Sequence, residues 1–405
     1  MANLRDRLKR IQEQKKSETA RIDIQRPSSD DFTVFTDKGW NACGFKTLVR
    51  EITVDTPLDL CPGLPQSITV LVPDLAGRKL PALEDFVFFD LETTGLSGGA
   101  GTVAFLAAFG KPQGSGKLRI TQYLLLDYPG EDDFLQAVLE EFKNERIMVS
   151  YNGKCFDSQI IKTRCLMNRI KPPEYFHVDL LHPSRRLWKN IINDCSQSSI
   201  ETRILGIDRG EDTPGALAPE IWFDFLKTGR HERLMGICDH NSSDIAGLAS
   251  ILAAIVLIAD DPFGVKKYRY DLQRLALYWR GYLRRMERQG KGLIDSELRI
   301  TGDRLLHLAY DKKYPHASLA YAVDQLRSGN CEEGREKLIA VLESDFPENV
   351  KAASLRFLAI DSERRLKDFS GALEFVKQGL ELKQAGNVWR NEFEKRLERL
   401  GKKIR

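Results

Sequence analysis

Asp90 and Glu92 stand two residues apart at the end of an apolar run, FVFFD (86–90), and are followed by Thr93, Thr94 and Gly95. In an extended strand alternate side chains share a face, so these two carboxylates lie side by side. Repulsion of that kind calls for a cation. Asp157 in YNGKCFD (151–157) and Asp244 in DHNSSD (239–244) can supply two more oxygen ligands. A carboxylate-only set suits Mg²⁺ or Mn²⁺ rather than zinc. Around two such ions it would support in-line attack of water on a phosphodiester, one ion activating the nucleophile and the other stabilising the leaving oxygen. His240 precedes Asp244 by four residues, so a helix there puts both on one face and makes the imidazole a candidate general base. Each element has a plainer reading. Asp-x-Glu pairs are common at strand ends, Asp157 can merely cap a helix beginning near Ser158, and His240 can be an ordinary surface histidine.

Elements that would position these groups are readable from hydrophobic period. After FVFFD, the glycines Gly95, Gly98, Gly99 and Gly101 suggest a tight loop. TVAFLAAFG (102–110) and LRITQYLLLD (118–127) read as the next two strands of an antiparallel meander. Apolar residues at 134, 135, 138, 139 and 142 predict a helix, and RIMVSYN (146–152) another strand. Alternating helix and strand signals make residues 85–262 an α/β domain. Residues 1–35 read as a mobile leader, and 36–84 as an extension of short strands or loops, SITVLV (67–72) among them, broken by Pro57, Pro62, Pro65, Pro73 and Pro81. From 263 to 405 the pattern is helical. There SGNCEEGREKLIAVLE (328–343) superposes on LKDFSGALEFVKQGLE (366–381) with Gly334 on Ala372, a spacing of 38 residues. That approximates the period of tetratricopeptide helix pairs, with generic helical hairpins as the alternative.

The 405 residues give a prior of two to three domains, and 42% hydrophobic with 29% charged residues excludes both a disordered chain and an ordinary membrane protein. Seven cysteines, at 43, 61, 155, 165, 195, 238 and 331, show neither C-x-x-C pairing nor zinc spacing. The charged N-terminus lacks an apolar h-region, and the longest apolar run, Ile245 to Ala259, falls short of the ~20 residues a spanning helix needs. A cytoplasmic location and no membrane partner are the expectation.

Taken together, DLETTG (90–95), NGKCFD (152–157) and HNSSD (240–244) resemble the three motifs of the DnaQ-like, or DEDD, exonucleases of the ribonuclease H-like fold. LETTGLSGGAGTVAF (91–105), HVDLLHPSRRLW (177–188) and LGIDRGEDTPGALAPEIWFDFLKTGR (205–230) look like the YprB-like branch, in which such a domain is joined to tetratricopeptide repeats. The resemblance covers roughly 85–255. It implies a mixed sheet flanked by helices, followed by an all-α repeat domain. It also implies a metal-dependent 3′ to 5′ exonuclease acting on single-stranded DNA or RNA with two divalent ions, Mg²⁺ or Mn²⁺. Asp90, Glu92, Asp157 and Asp244 are the implied metal carboxylates and His240 the implied base. One departure stands out: the usual third motif has histidine with four intervening residues or tyrosine with three, whereas His240 has three before Asp244.

Further positions are candidates for substrate contact. The Thr93 backbone N–H can face a terminal nucleotide, and Phe156 can stack on a base or belong to the core. Asn152 and Asn241 can hydrogen-bond substrate or brace the site. Asp179 can support the metal site or cap a turn, and Trp188 and Trp222 are core residues. Between Lys266 and Lys291 nine basic residues face two acidic ones. Arg280, Arg284, Arg288 and Lys291 recur there at helical spacing, opposite an apolar stripe containing Leu272, Leu275, Trp279, Leu283 and Met286. That stripe can guide a phosphate backbone or be a solvated helix face. The rival to a nuclease is a non-catalytic nucleic-acid-binding adaptor whose repeats recruit a protein, and structure-selective endonuclease action is a third option.

Overall fold

The computed structural model describes residues 33–61, 63–95, 99, 101–143, 146–210, 212–290 and 295–404. The leader up to residue 32, Pro62, Gly98 and Lys291 lie outside the described residues. The chain forms two compact units, each assembled from separate stretches of sequence.

The first unit takes residues up to 64, 79–181 and 196–257. Its frame is a seven-stranded mixed sheet in the order β1-β2-β5-β4-β3-β6-β7. The strands are β1 (Asn41–Gly44), β2 (Thr47–Asp55), β3 (Phe86–Thr93), β4 (Ala104–Gly114), β5 (Lys117–Leu125), β6 (Ile147–Ser150) and β7 (Phe176–Asp179). The expected meander is present: β3 pairs antiparallel with β4, and β4 with β5. β6 runs parallel to both β3 and β7. Phe86 to Phe89 are at most 1% exposed, which is why β3 reads as a continuous apolar run rather than an alternating one.

Helices α1 (Glu131–Glu140), α2 (Asp157–Met167) and α4 (Ala218–Thr228) belong to this unit, as does most of α5 (Glu232–Asp260); α3 (Leu181–Trp188) falls largely in the second. α1 matches the predicted helical face, burying Phe134, Leu135 and Val138. On α4, Trp222 stacks on Phe105 at 5.3 Å and donates its indole N–H to the Leu125 carbonyl at 3.0 Å. α5 extends well beyond the apolar run Ile245–Ala259 because the polar residues 239–244 continue the helix. By length and composition it is long and apolar enough to cross a membrane, and 72% of its most apolar window is buried inside the protein.

Residues 36–84 divide between the units: β1 and β2 join the sheet, whereas 65–78 go with the second unit. Within that second stretch Ile68–Leu71 is a helical turn with all four residues buried, so the strand or loop expected at 67–72 is not formed. At the described edge of the leader, Thr33–Thr36 is likewise a helical turn, with Phe35 in the core of the first unit.

The second unit takes 65–78, 182–195 and 258 onward. Its helices follow in succession: α6 (Leu272–Arg288), α7 (Ser296–Asp311), α8 (Pro315–Ser328), α9 (Cys331–Glu343), α10 (Glu348–Asp361), α11 (Phe369–Glu381) and α12 (Asn387–Ile404). Each packs chiefly on the next. Gly334 permits a close crossing of α9 on α8, since a Cβ there would stand 2.7 Å from the Leu326 backbone nitrogen. Ala372, its counterpart in the superposed segment, is fully buried.

Candidate metal centre

β3 carries Asp90 and Glu92 on one sheet face, as the strand period requires. Asp90 is paired across the ladder with Ala108 of β4, Ala108 with Gln122 of β5, and Gln122 with Arg50 of β2. The small alanine leaves room for α5 to reach the sheet. Asn241 enters there with no exposed surface, donating from Nδ2 to Asp90 Oδ2 at 2.8 Å and accepting from Gln122 Nε2 at 2.9 Å. Gln122 accepts in turn from Arg50 Nε at 2.6 Å, and Arg50 pairs with Asp239 at 2.9 Å. This chain of hydrogen bonds fixes the orientation of Asp90. Asn241 is therefore a brace: its amide spans Asp90 and Gln122 and has no exposed surface.

Asp157 arrives from the loop after β6. Asp179, 3% exposed at the end of β7, accepts backbone N–H groups from Asn152 at 2.8 Å, Lys154 at 3.2 Å and Leu181 at 3.0 Å. Of the two sequence readings, Asp179 anchors turns. Asn152 is exposed in the left-handed region (φ 63°). At Gly153 a Cβ would lie 2.3 Å from Ser150 Oγ and 2.6 Å from Asp157 Oδ2, so that position admits glycine alone. Asp157 is the first residue of α2 and 5% exposed. Phe156, just before it, is half-buried and packs on the core. Thr93 is buried, with its hydroxyl donating to the Gly95 carbonyl at 2.9 Å.

α5 places His240 and Asp244 one turn apart, and ligand atoms of Glu92, His240 and Asp244 all lie within 4.8 Å of one another. Burial first, then the charges of Asp244, Asp157 and Glu92, hold the Asp90 carboxyl well above the usual carboxylate range. Burial, Asp244 and Asp157 do the same to Glu92. Burial and Asp179 push Asp157 up to about 7. Four carboxylates crowded in this way are stabilised by a positive charge. The oxygen-rich donors, with one imidazole beside them, fit a hard divalent cation.

A strap of residues 206–210 and 212–217 covers this cluster, with Arg209 and Asp212 not among the candidate site residues. Asp212 Oδ1 and Oδ2 each lie 2.9 Å from His240 Nδ1, and His240 Nε2 is 3.3 Å from Asp244 Oδ2. Arg209 contacts Asp244 Oδ1 at 2.6 Å, Glu201 Oε2 at 2.5 Å and Asp212 Oδ2 at 3.4 Å. Arg209, Asp212, His240 and Asp244 thus close a ring of polar contacts. Gly215 and Gly236 let the strap approach: Cβ atoms there would lie 2.9 Å from His240 Nε2 and 2.6 Å from Thr213 Oγ1. The segment 205–230 was conspicuous in the sequence, but nothing in its spacing ties Arg209 or Asp212 to α5.

The remaining candidates lie elsewhere. Arg280, Arg284 and Arg288 belong to α6 in the helical unit, where both Arg280 and Arg284 pair with Asp324 of α8. Two of the three are thus tied down, while Arg288 is exposed. Leu272, Leu275, Trp279 and Leu283 are buried, as the opposite face predicted.

Comparison with known proteins agrees with the fold class of this sheet domain. A family model described as the RNase_H superfamily matches residues 87–256. The chain is 41% identical over 167 residues to uncharacterized protein YprB of Bacillus subtilis (strain 168), a match spanning 40% of each protein. Among solved structures, the family B DNA polymerase of the hyperthermophilic archaeon Pyrobaculum calidifontis aligns with TM-score 0.32 and 12% identity, over 49% of this chain and 29% of that one. The zinc-bound complex of E. coli ExoI with ssDNA aligns with TM-score 0.27 and 17% identity, over 52% and 45% respectively. Scores this low carry no argument about activity. Residues 87–256 of the chain therefore form a domain of the RNase H superfamily.

Proposed function

We propose that this domain is a metal-dependent nuclease of the DEDD type, working as a 3′ to 5′ exonuclease on single-stranded DNA or RNA. The observation that carries the reading is the convergence of Asp90, Glu92, Asp157 and Asp244 beside His240, with each of the first three carboxyls raised by burial and by its acidic neighbours. These four would hold two divalent ions, Mg²⁺ or Mn²⁺. When bound, the ions supply charge neutralisation at the phosphate and a more acidic attacking water. Asp90 is held in place for this by Asn241, and Asp244 by Arg209. His240 takes the water's proton on Nε2, while Asp212 accepts the Nδ1 proton and so fixes which nitrogen is free. Water adds to phosphorus as the bond to the 3′ oxygen breaks, releasing a 5′-mononucleotide. The Thr93 backbone N–H and exposed Asn152 are the contacts assigned to the terminal nucleotide.

The helical unit is read as tetratricopeptide-like, a module for a protein partner. The test of the main reading is end-labelled single-stranded DNA and RNA with Mg²⁺, Mn²⁺ or EDTA. Ladders shortening from the 3′ end with metal, absent in EDTA and with Asp90→Asn, support it. An intact substrate in every metal condition favours the adaptor instead, a reading to which Arg209, an internal cation already paired with Asp244, lends some support.

A further inference from the structure

Within the helical unit two hollows share a wall. One, of about 440 Å³, is lined by Arg280, Arg284 and Arg288 of α6, Arg299 of α7 and Arg327 of α8. The other, of about 840 Å³, is lined by Phe263, His307 and Tyr321. Asp303, Leu306, Asp324 and Ser328 border both. Each volume is within the roughly 300–1,000 Å³ of small-molecule sites.

The arginine side has more positive charge than its acids offset. Asp324 is shared between Arg280 and Arg284, and Glu287 is taken by Arg299 at 2.8 Å. Neither Arg288 nor Arg327 has an acidic partner among the described residues. Burial, followed by crowding from Arg280, Arg327 and Arg288, pushes the Arg284 guanidinium down to about 10. Planar guanidinium forks in that number suit phosphate oxygens. On the other side Tyr321 is stacked on Tyr310 at 4.5 Å and meets His307 at 5.5 Å, so its ring is held rigidly at the wall. A fixed aromatic wall suits a nucleobase.

We propose that the two hollows form one nucleotide-binding pocket, with phosphates on Arg284, Arg288 and Arg327, the base against Tyr321, and ribose hydroxyls donating to Asp303 and Asp324 at the seam. This site is built within the helical unit and does not depend on the nuclease reading. An acidic peptide would satisfy the arginines but leave the aromatic wall and the seam carboxylate Asp303 without a role. The nucleotide can be free or one unit of a strand.

The test uses the full chain in EDTA, which prevents metal-dependent hydrolysis and leaves the acidic cluster repelling anions. ADP is titrated by calorimetry and a fluorescein-labelled single-stranded RNA dodecamer by anisotropy, with inorganic pyrophosphate and a Glu-rich peptide as competitors. Expected are saturable ADP or RNA binding, at least tenfold loss in the double variant Arg288→Gln/Arg327→Gln, and at least threefold loss in Tyr321→Ala. Pyrophosphate should bind at least tenfold more weakly than ADP. The exposed, unpaired arginines make a folding failure of the double variant unexpected, and a thermal melt matching wild type verifies that. ADP binding without RNA binding identifies a free nucleotide, whereas RNA displaced by ADP identifies a strand. Asp90→Asn should bind ADP as wild type does, which distinguishes this site from the carboxylate centre. No binding of either probe, undiminished binding by the double variant, pyrophosphate equal to ADP, or preferential capture of the Glu-rich peptide would each overturn the proposal.

Discussion

Asp212 presents both carboxylate oxygens to His240 Nδ1 at 2.9 Å, and so directs Nε2 of the same ring toward Asp244 and Glu92. The contact joins a loop to a helix 28 residues further along the chain. It gives the histidine a defined role despite its unusual spacing, because the ring is oriented from behind rather than by its distance from Asp244 alone.

If His240 is the base, His240→Ala should reduce turnover by about 10²-fold or more while Mn²⁺ stabilises the variant as it does wild type. Asp212→Ala should fall most of the way to that level, and Asp212→Asn, which keeps an acceptor for the Nδ1 proton, should fall less. Single-turnover rates alongside thermal melts with and without Mn²⁺ provide the comparison. Normal turnover in Asp212→Ala would show that the pairing is structural only.

Asp90→Asn and Asp157→Asn each remove one negative charge from the crowded cluster while keeping a side chain of the same shape. Hydrolysis should be lost in both, yet the metal-free variants should melt at or above the wild-type temperature at pH 8. Wild type should gain about 2.7 kcal/mol of stability at a Mn²⁺ concentration 100 times its dissociation constant, and the variants much less. Undiminished cleavage by either variant contradicts the assignment of these carboxylates.

The metal-free protein should lose stability as pH rises. Carboxyls titrate near 4 in the unfolded chain, whereas Asp157 is held at about 7 and Asp90 and Glu92 well above their ordinary values. The folded state therefore binds these protons more tightly. Their stabilisation is complete below about pH 4 and is lost progressively as pH rises through 7. Melts in EDTA between pH 5 and 8 should show a falling midpoint, flattened in Asp157→Asn. Stabilisation by Mn²⁺ should grow over the same range, since the ion competes with those protons.

Arg209→Gln leaves Asp244, Glu201 and Asp212 without their shared counter-ion. Breaking a buried charge network in this way costs about 3–5 kcal/mol, so the metal-free variant should melt well below wild type. The uncompensated acids should then respond more strongly to Mn²⁺, giving a larger metal-induced rise in melting temperature than wild type shows. An unchanged melting temperature without metal would mean that the contacts of Arg209 contribute little to holding the strap.

Much of the fold was legible because it is written in local period. FVFFD and most of TVAFLAAFG lie in strands whose burial on both faces leaves continuous apolar runs, and α5 continues through polar residues because helix formation tolerates a polar face. The pairing of Asp90 with Glu92, and of His240 with Asp244, follows from strand and helix geometry alone. Other features depended on contacts between distant segments. Ser67–Val72 has the composition of a strand but forms a buried helical turn, since its environment, not its propensity, decides. Asn241 became a brace because Ala108 leaves space opposite Gln122, a relation across three strands that no linear spacing reveals. Arg280 and Arg284 looked like a solvent-facing stripe until α8 brought Asp324 against them. The residue types and their local geometry were thus determined by the sequence read along the chain. Which charges meet was decided by the tertiary structure, because electrostatic partners are chosen by distance in space, and the loop that carries Arg209 and Asp212 acquires its role only when it packs on α5.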